Sequence, residues 1–245
     1  MAQSNAKNKR LVLIVGKPGA GKTASLRDLD KQEGVLFLNC EAGKDIPFKN
    51  KFREEVITDP LDIFDLITEA EDDGKIHTVV IDSITMLMEM FESVHIIGAK
   101  DSRAKWGEYN QFFKELMQQY VAPSHLRFIF TAHVDSQLNE DTGIMETTVP
   151  VKGALKKNGV EAFFSVIVAA EKMPLKKLKG YENDLLEITK REEQVGYKHV
   201  FQTLTTKETI GDRIRGPFDL FDVCETYIDN NAENLLLVLD EYYGK

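Results

Sequence analysis

The sequence predicts an α/β fold, a mainly parallel twisted sheet with helices on both faces, and three observations lead to it. Short continuous apolar runs recur along the 245 residues, at Leu11–Val15, Val35–Asn39, Thr78–Ile81, Arg127–Ala132 and Phe164–Ala170. Runs of that length, rich in β-branched residues, mark strands buried on both faces, as parallel strands are. Segments with apolar residues at helical spacing lie between them. A glycine-rich segment, Gly16–Thr23, joins the first run directly to a helical stretch.

Met1–Lys9 is polar and basic and reads as a flexible tail. Leu11–Val15 is too short for the apolar core of a signal peptide and is the first strand. A helix follows Gly16–Thr23 to about Asp30, and Val35–Asn39 is the second strand. Asp59-Pro60, followed by Leu61, Ile63, Phe64, Leu66 and Ile67, predicts an amphipathic helix with proline in its first turn. Thr78–Ile81 ends in Asp82-Ser83, and Ile84–Val94 continues as an apolar helix.

His95–Lys105 reads as a loop, and Trp106–Val121 carries its aromatic and apolar residues at helical spacing. His133–Pro150 is long and polar, with a short strand expected near Met145–Val151, and Ala154–Phe163 is helical or turn-like. Leu185–Lys190 and His199–Leu204 are expected to pair as a C-terminal antiparallel hairpin, and Asn231–Tyr243 to form a last helix. The expected organisation is a flexible tail over 1–9, one core over 10–228 and a C-terminal helix over 229–245.

Composition narrows the function. A chain that is 42% hydrophobic and 29% charged can bury a core and stay soluble. No apolar run approaches the ~20 residues that cross a bilayer, so no membrane partner and a cytoplasmic location are expected. Cys40 and Cys224 outline no disulfide framework, and the scattered histidines have no metal-ligand spacing. A net charge of −9 weighs against a large basic nucleic-acid footprint but leaves room for a local one.

The chemistry concentrates at Gly16-Lys17-Pro18-Gly19-Ala20-Gly21-Lys22-Thr23, which fits G-x-x-x-x-G-K-[ST] in full. Glycines let the backbone curl until several N–H groups point at one centre, which suits phosphate oxygens. Lys22 is positioned to reach the β- and γ-phosphates, and the Thr23 hydroxyl to ligate Mg²⁺, which prefers oxygen. Asp82 is delivered at the C-terminal edge of a buried strand, where α/β sheets bind ligands, and is the second Mg²⁺ residue. Hydrolysis further needs a group to orient and deprotonate water, and Glu41, at the end of the second strand, is the candidate. His133, at the end of the fourth, is placed to sense the γ-phosphate.

Together Gly16–Thr23, Glu41, Asp82-Ser83 and His133 resemble the RecA-like ATPase core. The resemblance implies ATP with Mg²⁺ as ligands, hydrolysis with Glu41 as base, and an oligomer. Gly211-Asp212-Arg213-Ile214-Arg215-Gly216-Pro217-Phe218 resembles the segment that presents basic residues to the neighbouring subunit's ATP. Arg213 falls on such a position, with Arg215 and Lys207 as substitutes. More narrowly the chain is similar to short core-only RecA-like ATPases of bacteriophages linked to single-strand annealing. That implies single-stranded DNA, and a single-strand-binding protein, as partners.

His95–Lys105 and His133–Lys152 would be the counterparts of the family's two DNA loops. The first holds Lys100, Arg103 and Lys105 beside Trp106, a pattern suited to base stacking, and Lys172, Lys176, Lys177 and Lys179 form another basic cluster. The second holds Asp135, Glu140, Asp141 and Glu146 against Lys152 alone, which disfavours phosphate contact there. Two other classes compete: a P-loop kinase or phosphotransferase, and a regulatory ATPase scaffold that switches a protein partner.

Overall fold

The computed structural model describes residues 8–244. Residues 1–7 of the expected tail, and Lys245, lie outside them. Asn8 is tied down: its Nδ2 donates to Val121 O at 3.2 Å and to Leu126 O at 2.9 Å.

The strands are β1 (Leu11–Val15), β2 (Val35–Asn39), β3 (Arg53–Val56), β4 (Thr78–Asp82), β5 (Arg127–Ala132), β6 (Asp135–Asn139), β7 (Ile144–Thr148), β8 (Val166–Pro174), β9 (Tyr197–Gln202) and β10 (Tyr227–Asp229). Eight of them make one sheet in the order β10-β9-β8-β1-β5-β4-β2-β3. From β8 to β3 every neighbouring pair is parallel, while β9 and β10 add antiparallel strands at one edge. The α/β class and the antiparallel C-terminal addition therefore stand.

The pleat sends alternate residues to opposite faces. Leu11, Leu13 and Val15 pack beneath α1 (Asp62–Asp72), α2 (Ile84–Phe91) and α3 (Ser102–Glu115). Val12 and Ile14 pack on the other face, against Leu26 and Leu29 and against Leu235, Leu236 and Leu239 of the C-terminal helix, Ala232–Tyr242. Helices thus cover both faces, and each fully buried Leu or Ile contributes roughly 2 kcal/mol by leaving water.

Several elements differ from expectation. Thr23–Asp28 is a six-residue 3₁₀ helix rather than a helix to Asp30. Little helix dipole then reaches the glycine-rich loop, where the curled backbone would have to supply any anion donors. Leu185–Lys190 is not a strand, although Leu185 O accepts one hydrogen bond from Asp229 N at 2.8 Å. The antiparallel partners of β9 are instead the extended end of β8, Ala169 to Pro174, and β10. The expected loop His95–Lys105 is shorter than predicted, because a π turn covers Glu92–Ile96 and α3 begins at Ser102, capped by Asp101. In the second loop, β6 and β7 form their own antiparallel pair.

Candidate nucleotide site

Parallel strands deliver their C-terminal ends to one rim of the sheet, and that rim holds the glycine-rich loop between β1 and the 3₁₀ helix. Close neighbours account for two of its glycines. A Cβ on Gly16 would lie 2.7 Å from Ala170 O. Gly21 has φ +105°, and a Cβ there would meet His199 Nδ1 at 3.0 Å and Asn230 Oδ1 at 3.1 Å.

A cleft of about 340 Å³ opens over this loop and is lined by Lys22, Thr23, Glu41, Asp82 and His133, with Ile46, Pro47 and His199 further along. Lys22 Nζ is folded back, donating to Gly16 O at 2.9 Å and Lys17 O at 3.3 Å. Burial lowers its pKa, partly offset by the Asp82 and Glu41 carboxylates.

Lys22 Nζ also lies 3.3 Å from His133 Nδ1, and His133 Nε2 lies 3.1 Å from Glu41 Oε1. An ammonium has no lone pair, so Nδ1 accepts from Lys22 and the Nε2–H donates to Glu41. The hydrogen bond from His133, followed by Lys44, outweighs burial and holds Glu41 down to about 2. His133 is fixed from behind by its own N–H, which donates to Thr85 Oγ1 at 3.0 Å.

Asp82 is 4% exposed. It accepts from Thr23 Oγ1 at 2.7 Å and from Thr131 Oγ1 through its other oxygen. Burial raises its pKa despite these two bonds. The Thr23 and Asp82 oxygens are hard donors that fit Mg²⁺. No cluster of three or more His, Cys, Asp or Glu suited to a metal occurs among the described residues.

The structure thus brings Pro18, Gly19, Gly21, Lys22 and Thr23 of the loop into one cleft with Glu41, Asp82 and His133, while Gly16 and Lys17 open on a neighbouring cavity. It does not bring Arg213 into that cleft. Arg213 Nη1 donates to the buried Glu161 at 3.1 Å. It borders a separate cavity of about 270 Å³ on which Lys17 and Glu171 also open. Arg215 Nη2 donates to Glu161 O at 2.5 Å.

Of the basic residues expected near DNA, Lys100 and Arg103 are exposed. Lys105 pairs with Glu108 at 2.6 Å, Lys152 pairs with Glu92 at 2.6 Å, and Lys172 lies over the Tyr197 ring. Trp106 is half-buried, with its ring edge-on to Tyr109.

Spacing missed three residues: Thr131, one residue before the strand end; Lys44, which holds Glu41; and His199, whose Nδ1–H donates to Ala20 O at 2.8 Å. A hydroxyl inside an apolar strand was a readable signal for Thr131. Lys44 and His199 carry none.

A family model described as an AAA domain matches residues 8–211. No curated protein matches the sequence. No helix among the described residues is long and apolar enough to cross a membrane.

Proposed function

The chain belongs to the AAA-domain family, a family of P-loop ATPase domains, and from that premise we propose that it hydrolyses ATP with Mg²⁺ in a RecA-like cleft and couples the cycle to single-stranded DNA. The observation that supports hydrolysis is the single cleft shared by Lys22, Glu41, Asp82 and His133. In this reading the loop's N–H groups and Lys22 bind the β- and γ-phosphates, and Thr23 and Asp82 hold Mg²⁺. The ion, when bound, neutralises charge on the phosphate oxygens. Glu41 accepts a proton from water as the water oxygen bonds to the γ-phosphorus. The bond to the β–γ bridging oxygen breaks, ADP leaves with that electron pair, and the proton passes from Glu41 to solvent. His133 orients Glu41 and reports the γ-phosphate to β5.

An oligomer completes the proposal. Arg213, or Arg215 or Lys207, would reach a neighbour's γ-phosphate, where a cation offsets developing charge. Arg213 must then exchange Glu161 for phosphate. The phage-type annealing role and a single-strand-binding partner rest on the family resemblance, with exposed Lys100 and Arg103 in support. One observation favours a protein partner instead: the β6–β7 hairpin carries Asp135, Glu140, Asp141 and Glu146, which repel phosphate.

A labelled single strand titrated at two salt concentrations, with and without ATP, separates the two. The DNA reading expects ATP-dependent binding that weakens as salt rises. No binding at low salt would leave the scaffold reading in its place.

A further inference from the structure

Glu41 is held on both sides. While Oε1 faces His133, Oε2 accepts from Lys44 Nζ at 2.8 Å. The backbone is shaped for this second contact. Lys44 N donates to Glu41 O at 3.1 Å, closing a four-residue turn in which Ala42 and Gly43 have φ of +55° and +72°. Two successive positive φ values define a primed turn, and alanine disfavours that region. Asn39 braces both ends: its Oδ1 accepts from Glu41 N at 3.0 Å and its Nδ2 donates to Lys44 O at 3.0 Å. The chain thus adopts an unfavourable conformation at Ala42 and uses a buried amide to set Lys44 opposite Glu41.

The two partners differ in freedom. The Glu41 side chain is 13% exposed and that of Lys44 is 69% exposed, so the ammonium approaches from solvent and is free to leave. Lys44 lies close enough to lower the pKa of Lys22, and Asp82 helps to raise its own. It lines the same cleft as Lys22, Glu41, Asp82 and His133. Among the described residues that line this cleft, Lys22 and Lys44 are the only lysines, and there is no arginine.

We propose that Lys44 is a second ligand of the terminal phosphate and the residue that releases Glu41 for catalysis; this rests on the hydrolytic reading above. In the structure Lys44 and His133 engage both oxygens of the carboxylate. A γ-phosphate, with more charge than one carboxylate, draws the ammonium from Oε2 to one of its own oxygens. Oε2 is then open to accept a hydrogen from water. A diphosphate lacks that group, so Lys44 stays on Glu41. The same side chain thereby distinguishes triphosphate from diphosphate and arms the base only when there is a bond to break.

Lys44→Met and Lys44→Arg in the full chain test this. Affinities for the non-hydrolysable β,γ-imido analogue of ATP and for ADP, both with Mg²⁺, are measured by calorimetry, and turnover is measured separately. In Lys44→Met the triphosphate analogue should bind about tenfold more weakly and ADP within about twofold of the unsubstituted chain, as expected for one lost charge-assisted contact. Turnover should fall about tenfold or more, and Lys44→Arg should recover most of both losses. Equal weakening of both nucleotides would reduce Lys44 to a general electrostatic contribution and overturn the proposal. So would unchanged affinities, or faster turnover in Lys44→Met, which would make the residue a brake. Failure of the unsubstituted chain to bind the analogue would overturn the ATPase reading as well. Binding without any change of preference in the variant overturns this inference alone.

Discussion

Thr23 Oγ1 donates to Asp82 Oδ2 at 2.7 Å, so the residue that closes the glycine-rich loop and the last residue of β4 are joined directly. The pair sets two oxygens at the spacing of a shared ligand, on elements whose Cα positions the sheet fixes. Asp82 pays for its position in desolvation, which raises its pKa.

That cost gives a prediction for Asp82→Asn. An acid whose folded pKa lies above its unfolded value destabilises the fold once it ionises, so above about pH 4 the amide should be no worse. Without nucleotide, the variant should melt at or above the temperature of the unsubstituted chain. Its Mg²⁺-dependent turnover should fall about a hundredfold, and ATP with Mg²⁺ should no longer raise its melting temperature as far. A lower melting point in the free variant would show that the carboxylate stabilises the empty fold.

Lys22→Ala removes the ammonium that now rests on Gly16 O and Lys17 O. Triphosphate affinity should fall about a hundredfold or more, read by calorimetry. The fold should survive, because the lost partners are two loop carbonyls and the His133 ring nitrogen, which water can satisfy. Retained tight binding would show that the loop is not the phosphate site.

Glu41→Gln should bind ATP and stop turning it over, with a loss of about a hundredfold or more in kcat and little change in Kd. The substitution also has a pH signature. The folded pKa of Glu41 is depressed to about 2, led by the hydrogen bond from His133. A depressed acid stabilises the fold above its unfolded value, about 4.3, and loses that contribution as pH falls through the folded value. Urea midpoints at pH 5 and pH 3 should therefore fall less in Glu41→Gln than in the unsubstituted chain. Parallel loss in both would assign the acid sensitivity to other carboxylates.

Arg213→Ala leaves Glu161, 1% exposed, with Val149 N–H as its remaining side-chain partner, at 2.8 Å. An uncompensated buried charge should destabilise the chain by about 2 kcal/mol at neutral pH, the partly exposed arginine moderating the effect. Urea denaturation measures it. Mixing Arg213→Ala with Lys22→Ala tests the role across a subunit boundary: recovered ATPase activity in the mixture is expected if each chain supplies what the other lacks.

Legibility followed burial. β1, β2, β4, β5 and β8 announced themselves as apolar runs because parallel strands are covered on both faces. The loop motif and Asp82 were readable as candidates because binding phosphate and Mg²⁺ would require fixed residue types at fixed spacing. β3 did not announce itself: Arg53–Val56 is an edge strand of alternating half-buried and exposed residues, three of them charged. β6 is polar except for the exposed Leu138 and is set by pairing with β7 rather than by a core. Leu185–Lys190 has strand-like residues but lost the place beside β9 to β8, whose last residues reach past its parallel partner and turn the sheet antiparallel. Lys44 escaped because its role depends on a backbone turn at Ala42-Gly43, and no spacing rule reports a positive φ at alanine.

The parallel strands have a second consequence at the rim away from the cleft. Arg10, just before β1, and Arg127, which starts β5, both donate to Asp240 near the end of the C-terminal helix, each at 2.8 Å. The two ends of the described chain are therefore gathered on the side opposite the cleft. A fluorophore, an affinity handle or a surface tether attached at either end would leave the cleft facing outward. A short peptide joining them would make a circular permutant in which the order of the sheet is kept.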